Sequence, residues 1–370
     1  MASKVGDRML QIRKFAQAAH KQVDQASLLK SEPLKQTKLP NGILVASIEN
    51  YSPVSRVGVF FRAGSRFETS ENLGITHVLR NSLGLSTKQS TIFGITRNID
   101  YNGGSLKAIS TRDNFIYLLE NIRDKNPEIM HYLAESVSEP AFKSWELEDN
   151  VYRIKVDLER YQIDACAQLA DLLHRAAFRG GLSNSLYCLS QNVGAFKKDA
   201  LMDYHNKHFI ANKAVVVGLG VDHDKLTKFV NKQINLKSGN EVSEIKSKYI
   251  GGDCRLPSNS KLTFASVVAE GAPLKNKKDA LILEIFSKYL GTGARVSYGF
   301  GGSKVAQAVS AVAKKPFQFS SLNLNYYDTG LFGFTTITDG EETSTIIKTI
   351  VNTIRSSAKT FNDNELKIAK

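Results

Sequence analysis

The chain has 370 residues, 42% of them hydrophobic and 23% charged, with a formal net charge of +13. That length exceeds one ordinary hydrophobic core and predicts two domains, in a composition typical of folded globular chains. No stretch approaches the roughly 18 consecutive apolar residues of a membrane-crossing helix, and scattered bases without an aromatic-interleaved basic motif argue against nucleic-acid binding.

The first 30 residues hold six bases, Lys4, Arg8, Arg13, Lys14, Lys21 and Lys30, against Asp7 and Asp24, with Met9, Ile12, Phe15 and Ala16 on one helical face. An amphipathic, base-rich and acid-poor start is the pattern of a mitochondrial transit peptide, so residues 1–35 are read as that peptide with its leader; the other reading is a basic surface helix. Cys166, Cys188 and Cys254 are odd in number and far apart. Neither a disulfide framework nor a Cys-based zinc site is expected from them, and they read as buried thiols in a reducing compartment.

Leu39-Pro40-Asn41-Gly42 predicts a turn into a first strand, Ile43 to Ile48. Val57, Val59 and Phe61 alternate with Arg56, Gly58 and Phe60, a second strand ending at Ala63-Gly64. Residues 71–85 have helical periodicity, Tyr101 to Gly104 is a turn, and Phe115, Tyr117 and Leu119 mark a further strand. Asn126-Pro127 predicts an N-cap and first-turn proline for a helix burying Ile129, Leu133 and Val137 before Pro140. From Trp145 to Phe178 no Gly or Pro interrupts the chain, which predicts one long or slightly broken helix, followed by a short helix near Asp199 to His205 and a strand at Lys213 to Leu219.

A polar, glycine-containing stretch at 236–260 reads as a linker between a domain at 36–235 and a second at 261–370. Beyond it the order of elements restarts: a strand at Leu262 to Ala269, a helix at Asp279 to Leu290, a strand pair at Phe317 to Thr338 and a helix at Glu342 to Ser357. This mirrors the strand at 56–63, helix at 71–85, strands at 104–120 and helix at 127–138, so the chain reads as a duplication. A further helix capped by Asn362 or Asn364 would match the one at 145, which makes the second domain an incomplete one.

The segment Gly74 to Leu85, GITHVLRNSLGL, follows the strand and turn VGVFFRAGSRFETSENL. In this context the chain resembles the pitrilysin and mitochondrial-processing-peptidase family, whose helix there carries H-x-x-E-H. Histidines at i and i+4 share a helix face and bind zinc, and the glutamate activates the metal-bound water. The resemblance implies an α+β fold of two homologous metallopeptidase-like sandwich domains, each a mixed sheet with helices packed on one face. It also implies a degenerate site. His77 keeps the first position, Arg80 stands for the base, Asn81 for the second histidine, and Asp157 for the ligand on the distant helix. A guanidinium is no base and repels a dication, and a neutral amide is a poor zinc donor. The family's L-N-A-x-T-x-x-E strand corresponds to Leu106 to Asp113, with Lys107 in place of Asn. No catalytic residue, cofactor or metal ligand is therefore expected.

His77 otherwise reads as a core histidine, bonded in the core or to Asp157. His205 and His208, at i and i+3, read either as a metal pair or as helix-end packing. There is no G-x-S-x-G elbow and no Walker loop, and Gly291 to Ala294 with Gly299 to Gly302 reads as a flexible surface loop.

Within the family the likeness narrows to the core subunits of mitochondrial ubiquinol–cytochrome c reductase, respiratory complex III. It rests on Leu39 to Gly42, GSRFET with GITH, Tyr101 to Leu106, Leu173 to Phe178, Asn184 to Cys188, Val216 to Val221, Val267 to Glu270 and Tyr327 to Phe334. The resemblance implies a matrix-side subunit, peripheral to the inner membrane, that pairs with core protein 1 and assembles with cytochrome b, cytochrome c1 and the Rieske subunit. The alternatives are the noncatalytic alpha-type subunit of mitochondrial processing peptidase and an active zinc peptidase.

Overall fold

The structure, a computed structural model, describes residues 30–239, 246–294 and 303–359. The transit-peptide expectation for the first 29 residues, the Gly299 to Gly302 run and the helix expected from Asn362 lie outside the described residues. In chain order the first part runs β1 (Lys35–Lys38), β2 (Leu44–Ile48), β3 (Val54–Phe61), α1 (Ile75–Asn81), α2 (Ile92–Tyr101), β4 (Ser105–Ser110), β5 (Phe115–Ile122), α3 (Asn126–Ser138), α4 (Ser144–Ile163), α5 (Ala165–Ala177), α6 (Lys198–His208), β6 (Val215–Leu219) and α7 (His223–Gln233). The second part runs β7 (Leu262–Glu270), α8 (Lys277–Leu290), β8 (Thr292–Ala294), α9 (Lys304–Ser310), β9 (Gln318–Asn325), β10 (Gly330–Asp339) and α10 (Thr343–Lys359).

These elements form two compact units that are not contiguous in sequence. One contains the described residues up to Gly64, Gly74–Ile154 and 188–239; the other contains Ser65–Leu73, Lys155–Tyr187 and the described residues from 246 onward. The first unit holds a six-stranded sheet in the order β1-β2-β6-β3-β5-β4, with β2 and β6 parallel and the other neighbours antiparallel. Register puts Val57, Val59 and Phe61 opposite Leu119, Tyr117 and Phe115, and all six are buried, so alternation has sorted one face into the core. Ile129, Leu133 and Val137 of α3, and Leu226 and Val230 of α7, are buried in the same unit.

The second unit holds a four-stranded antiparallel sheet in the order β7-β10-β9-β8. On one face Phe319 and Phe334 pack with Leu290, Val305, Val309, Ile346 and Ile350 from α8, α9 and α10. On the other, Leu331 packs with Leu173, Ala177, Phe178 and Leu182 from α5 and the turn after it. Fully burying side chains such as Phe178 and Phe319 stabilises by roughly 1.5–3 kcal/mol each.

Several expectations are corrected. The helix expected over 71–85 is only Ile75–Asn81, because Gly74 enters it in a left-handed conformation at φ 92°. Asn126 is no N-cap: it is the first residue of α3, and its Oδ1 accepts hydrogen bonds from Ser55 Oγ and Asn121 Nδ2, both at 2.8 Å. The block from 145 to 178, expected as one long or slightly broken helix, takes the broken form: it is interrupted at Asp164, whose carboxylate accepts from the N–H groups of Cys166 and Ala167 and starts α5 afresh. Thr292–Ala294, expected in a surface loop, pairs with Ser320, Phe319 and Gln318 of β9. Only Cys188 is a buried thiol; Cys166 in the first turn of α5 and Cys254 in irregular chain are exposed.

Candidate active site

The family's motif helix is α1, with Ile75, Thr76, His77, Val78 and Leu79 all buried. Its entry fits glycine alone, since a Cβ on Gly74 would lie 2.4 Å from Cys188 Cα, at a positive φ that L side chains rarely adopt. That close approach places the Cys188 backbone N–H where it donates to His77 Nδ1 at 3.1 Å. With Nδ1 accepting, the neutral ring carries its proton on Nε2. The ring is fully buried.

Arg80 and Asn81 face different tasks from the glutamate and histidine of the motif. Arg80 Nη1 donates to Ser110 Oγ at the end of β4, at 3.3 Å, and Asn81 Nδ2 turns back to donate to its own helix at the His77 carbonyl, at 3.1 Å. Lys107, at the position of the family's asparagine, is an exposed residue of β4. Asp157 is a part-buried residue of α4 and belongs to the second unit, whereas His77, Arg80 and Asn81 belong to the first.

His205 and His208 are both buried on α6. His205 Nε2 donates to the Val137 carbonyl at 2.9 Å, and its ring stacks on Phe209 with centroids 4.6 Å apart. The His208 ring lies 4.4 Å from that of Tyr204. Burial pushes both imidazoles down to about 4, so they are neutral at ordinary pH. Packing against an aromatic ring helps place both, and His205 is also held by its hydrogen bond to Val137. Among the described residues no group of three or more His, Cys, Asp or Glu side chains is gathered as a metal site would require.

Two residues tied only to family-marking stretches in the sequence turn out to be partners. Within the second unit Arg66 Nη1 and Nη2 donate to the two carboxylate oxygens of Asp328 at 2.8 and 2.5 Å, and the Ser247 N–H donates to Asp328 Oδ2 at 2.7 Å. Their side chains are 3% and 15% exposed. Burial pushes the Asp328 carboxyl up, but the hydrogen bonds from Arg66 and Ser247 and the guanidinium charge outweigh it and hold the carboxyl below its usual range.

Residues 44–190 match the family described as Insulinase (Peptidase family M16), and residues 195–370 match the Peptidase M16 inactive domain. The human protein named cytochrome b-c1 complex subunit 2, mitochondrial, is 35% identical over 341 residues, 92% of this chain and 75% of its own length. Its namesake in Mus musculus is 34% identical over 332 residues, 90% of this chain and 73% of its own. The chain belongs to the M16 peptidase family, in the branch of cytochrome b-c1 complex subunit 2. Identity to another M16 protein, the probable mitochondrial-processing peptidase subunit alpha-2 of Arabidopsis thaliana, is lower: 28% over 330 residues, 88% of this chain and 66% of its own. That ranking agrees with the motifs, which point to core protein 2 of ubiquinol–cytochrome c reductase, the same subunit under its older name.

Proposed function

We propose that the chain is a non-catalytic core subunit of ubiquinol–cytochrome c reductase, respiratory complex III, needed for assembly and stability of the complex that passes electrons from ubiquinol to cytochrome c. The observation that carries this reading is the 35% identity to the human b-c1 subunit over 92% of the chain. The chemistry of the motif helix supports the absence of catalysis. His77 Nδ1 is engaged by a backbone N–H, the Asn81 amide is folded onto its own helix, and a cation, Arg80, occupies the base position. These residues do not fit zinc, which needs four donors with a water among them in a peptidase, and no hydrolytic step is derived from them.

The partners in this reading are core protein 1, cytochrome b, cytochrome c1 and the Rieske subunit, and the place is the matrix side of the mitochondrial inner membrane. The duplicated domains at 36–235 and 261–370, joined by 236–260, and the transit peptide at the start belong to the same proposal. Among the described residues no helix is long and apolar enough to cross a membrane. A peripheral attachment through other subunits accounts for membrane association.

Native-gel separation of solubilised mitochondrial membranes tests this. Comigration of the chain with cytochromes b and c1 is expected, and a soluble matrix heterodimer would overturn it. That heterodimer is the outcome of the second reading, an alpha-type processing-peptidase subunit, which the 28% identity to the Arabidopsis protein keeps in play. Metal analysis of the purified chain tests the third, an active zinc peptidase: one zinc per chain would restore it, and less than that is expected.

A further inference from the structure

Helix α5 crosses one face of the second sheet and fills it unevenly. Its C-terminal half seals the face where Leu173, Ala177 and the following Phe178 meet Leu331, Leu322 and Leu324. Beneath its N-terminal half a cavity of about 140 Å³ remains. Leu169, Phe264, Leu322 and Ile337 are its apolar walls, and Cys166, an exposed thiol, lies at its edge.

The floor is polar in a particular way. Ser266, Thr335 and Ser320 line the cavity and stand opposite one another on three neighbouring strands, a hydroxyl row across β7, β10 and β9. Each donates to a backbone carbonyl: Ser266 to Phe334, Ser320 to Ser321 and Thr335 to Ser320. Their protons are thus occupied while their oxygens keep acceptor lone pairs. The row can therefore accept a hydrogen bond from a bound donor without giving up its own.

We propose that this cavity binds a free, phenol-sized amphiphile, its ring against Leu169, Phe264, Leu322 and Ile337 and its single O–H or N–H donor on the hydroxyl row. The size argument is direct: an apolar cavity of roughly 150 Å³ takes up one benzene molecule. The hydroxyl row then selects a ring with one donor over a bare hydrocarbon. The inference does not depend on the chain's place in complex III.

The three cysteines supply the assay. Cys166 edges the cavity, Cys254 is exposed and lines no part of it, and Cys188 is buried. The intact purified chain is alkylated with N-phenylmaleimide or with iodoacetamide, and labelling at Cys166 relative to Cys254 is read by peptide mass spectrometry. The ratio is expected to be severalfold higher for the phenyl reagent, and added phenol is expected to slow labelling at Cys166 alone. Ala170→Leu, which fills the cavity from α5, should abolish both effects. Saturation-transfer NMR of phenol with the unaltered chain, displaced by prior alkylation of Cys166, gives the same answer without any variant. Equal ratios for the two reagents with no protection by phenol would overturn the proposal. Protection by N-acetyltyrosinamide as strong as by phenol would also do so, since a tyrosine side chain of another polypeptide would then fit equally well.

Discussion

In the first unit, helices bury one face of the sheet, while the alternate face stays part-covered: Phe60, Ile116 and Leu118 are half-buried, and Val217 and Ile109 are 37% and 42% exposed. In the second unit both faces are covered, one by α8, α9 and α10 and the other by α5. Burial alternates strictly in β5 and along the second half of β10 but not in β7 or β9, so the strand pattern alone does not set the difference. It comes from α5 and the turn after it, thirteen helical residues and Phe178 and Leu182, which follow the family's ligand-bearing helix in sequence and pack on the second sheet. An aliphatic strand face therefore says only that a cover is permitted. Which segment provides it is decided by an amphipathic helix elsewhere in the chain.

Phe178→Ala removes the largest side chain of that cover and should weaken it most. Phe178 is fully buried and meets Tyr249 and Tyr326 edge-on, with ring centroids 6.3 and 6.4 Å away. Truncating such a phenylalanine costs about 4 kcal/mol. Hydrogen exchange should show the amides of β9 and β10 losing protection while those of β3 and β5 keep theirs. Equal loss in both sheets would erase the distinction between the units.

Asp328→Ala should follow at about 3 kcal/mol, because it leaves the Arg66 guanidinium buried without its counter-charge. Replacing both, as Arg66→Met with Asp328→Leu, should recover much of the loss in urea unfolding. A double variant no better than the single one would mean that the pair does more than neutralise itself.

Acid should separate the units in the opposite sense. His205 has its folded value pushed down to about 4 by burial, while an unfolded histidine titrates near 6.5. A base depressed in the folded state contributes stability that is complete above the unfolded value and is lost as pH falls toward the folded one. The loss is roughly 2 kcal/mol by pH 5. Asp328 is also depressed, by the hydrogen bonds and charge that outweigh burial, so its contribution is complete above the unfolded carboxylate value near 4 and falls away only below it. Between pH 7 and pH 5 the first unit should weaken and the second should not. His205→Gln should roughly halve that slope, since His208 in the same unit is also pushed down to about 4, and an unchanged slope in urea titrations at the two pH values would count against the histidine.

Much of this was legible in the sequence, for identifiable reasons. The strands at 57–61 and 115–119 were readable because one buried face imposes a strict period of two. Helix α2 was not, since STKQSTIFG looks like a polar loop and only Ile95 and Ile99 are buried. Helix α7 went unread for a similar reason: it buries just Leu226 and Val230, behind an Asp222 cap. In the candidate site, spacing from Gly74 located His77, Arg80 and Asn81. The partner of His77 could not be read, because a backbone N–H 111 residues away has no side-chain signature. The Arg66–Asp328 pair joins positions 262 residues apart. Both residues lie in stretches that mark the family, but nothing in either stretch says that they meet.

The smallest effect is expected at the position where the family has its second histidine. Asn81 is part-buried, and its side-chain amide donates to the carbonyl four residues earlier in the same helix. Asn81→Ala exchanges one such bond for a better helix former, two terms of similar size and opposite sign. Thermal unfolding should move by less than about 0.5 kcal/mol, within the usual range for a surface-like substitution. Comigration with cytochromes b and c1 should be unchanged. A loss of several kcal/mol, or a chain that no longer assembles, would show that the amide has a role its helix does not reveal, and would reopen the case for a site at α1. A near-silent substitution would instead place Asn81 among residues that the first unit tolerates, in contrast with Asp328 in the second.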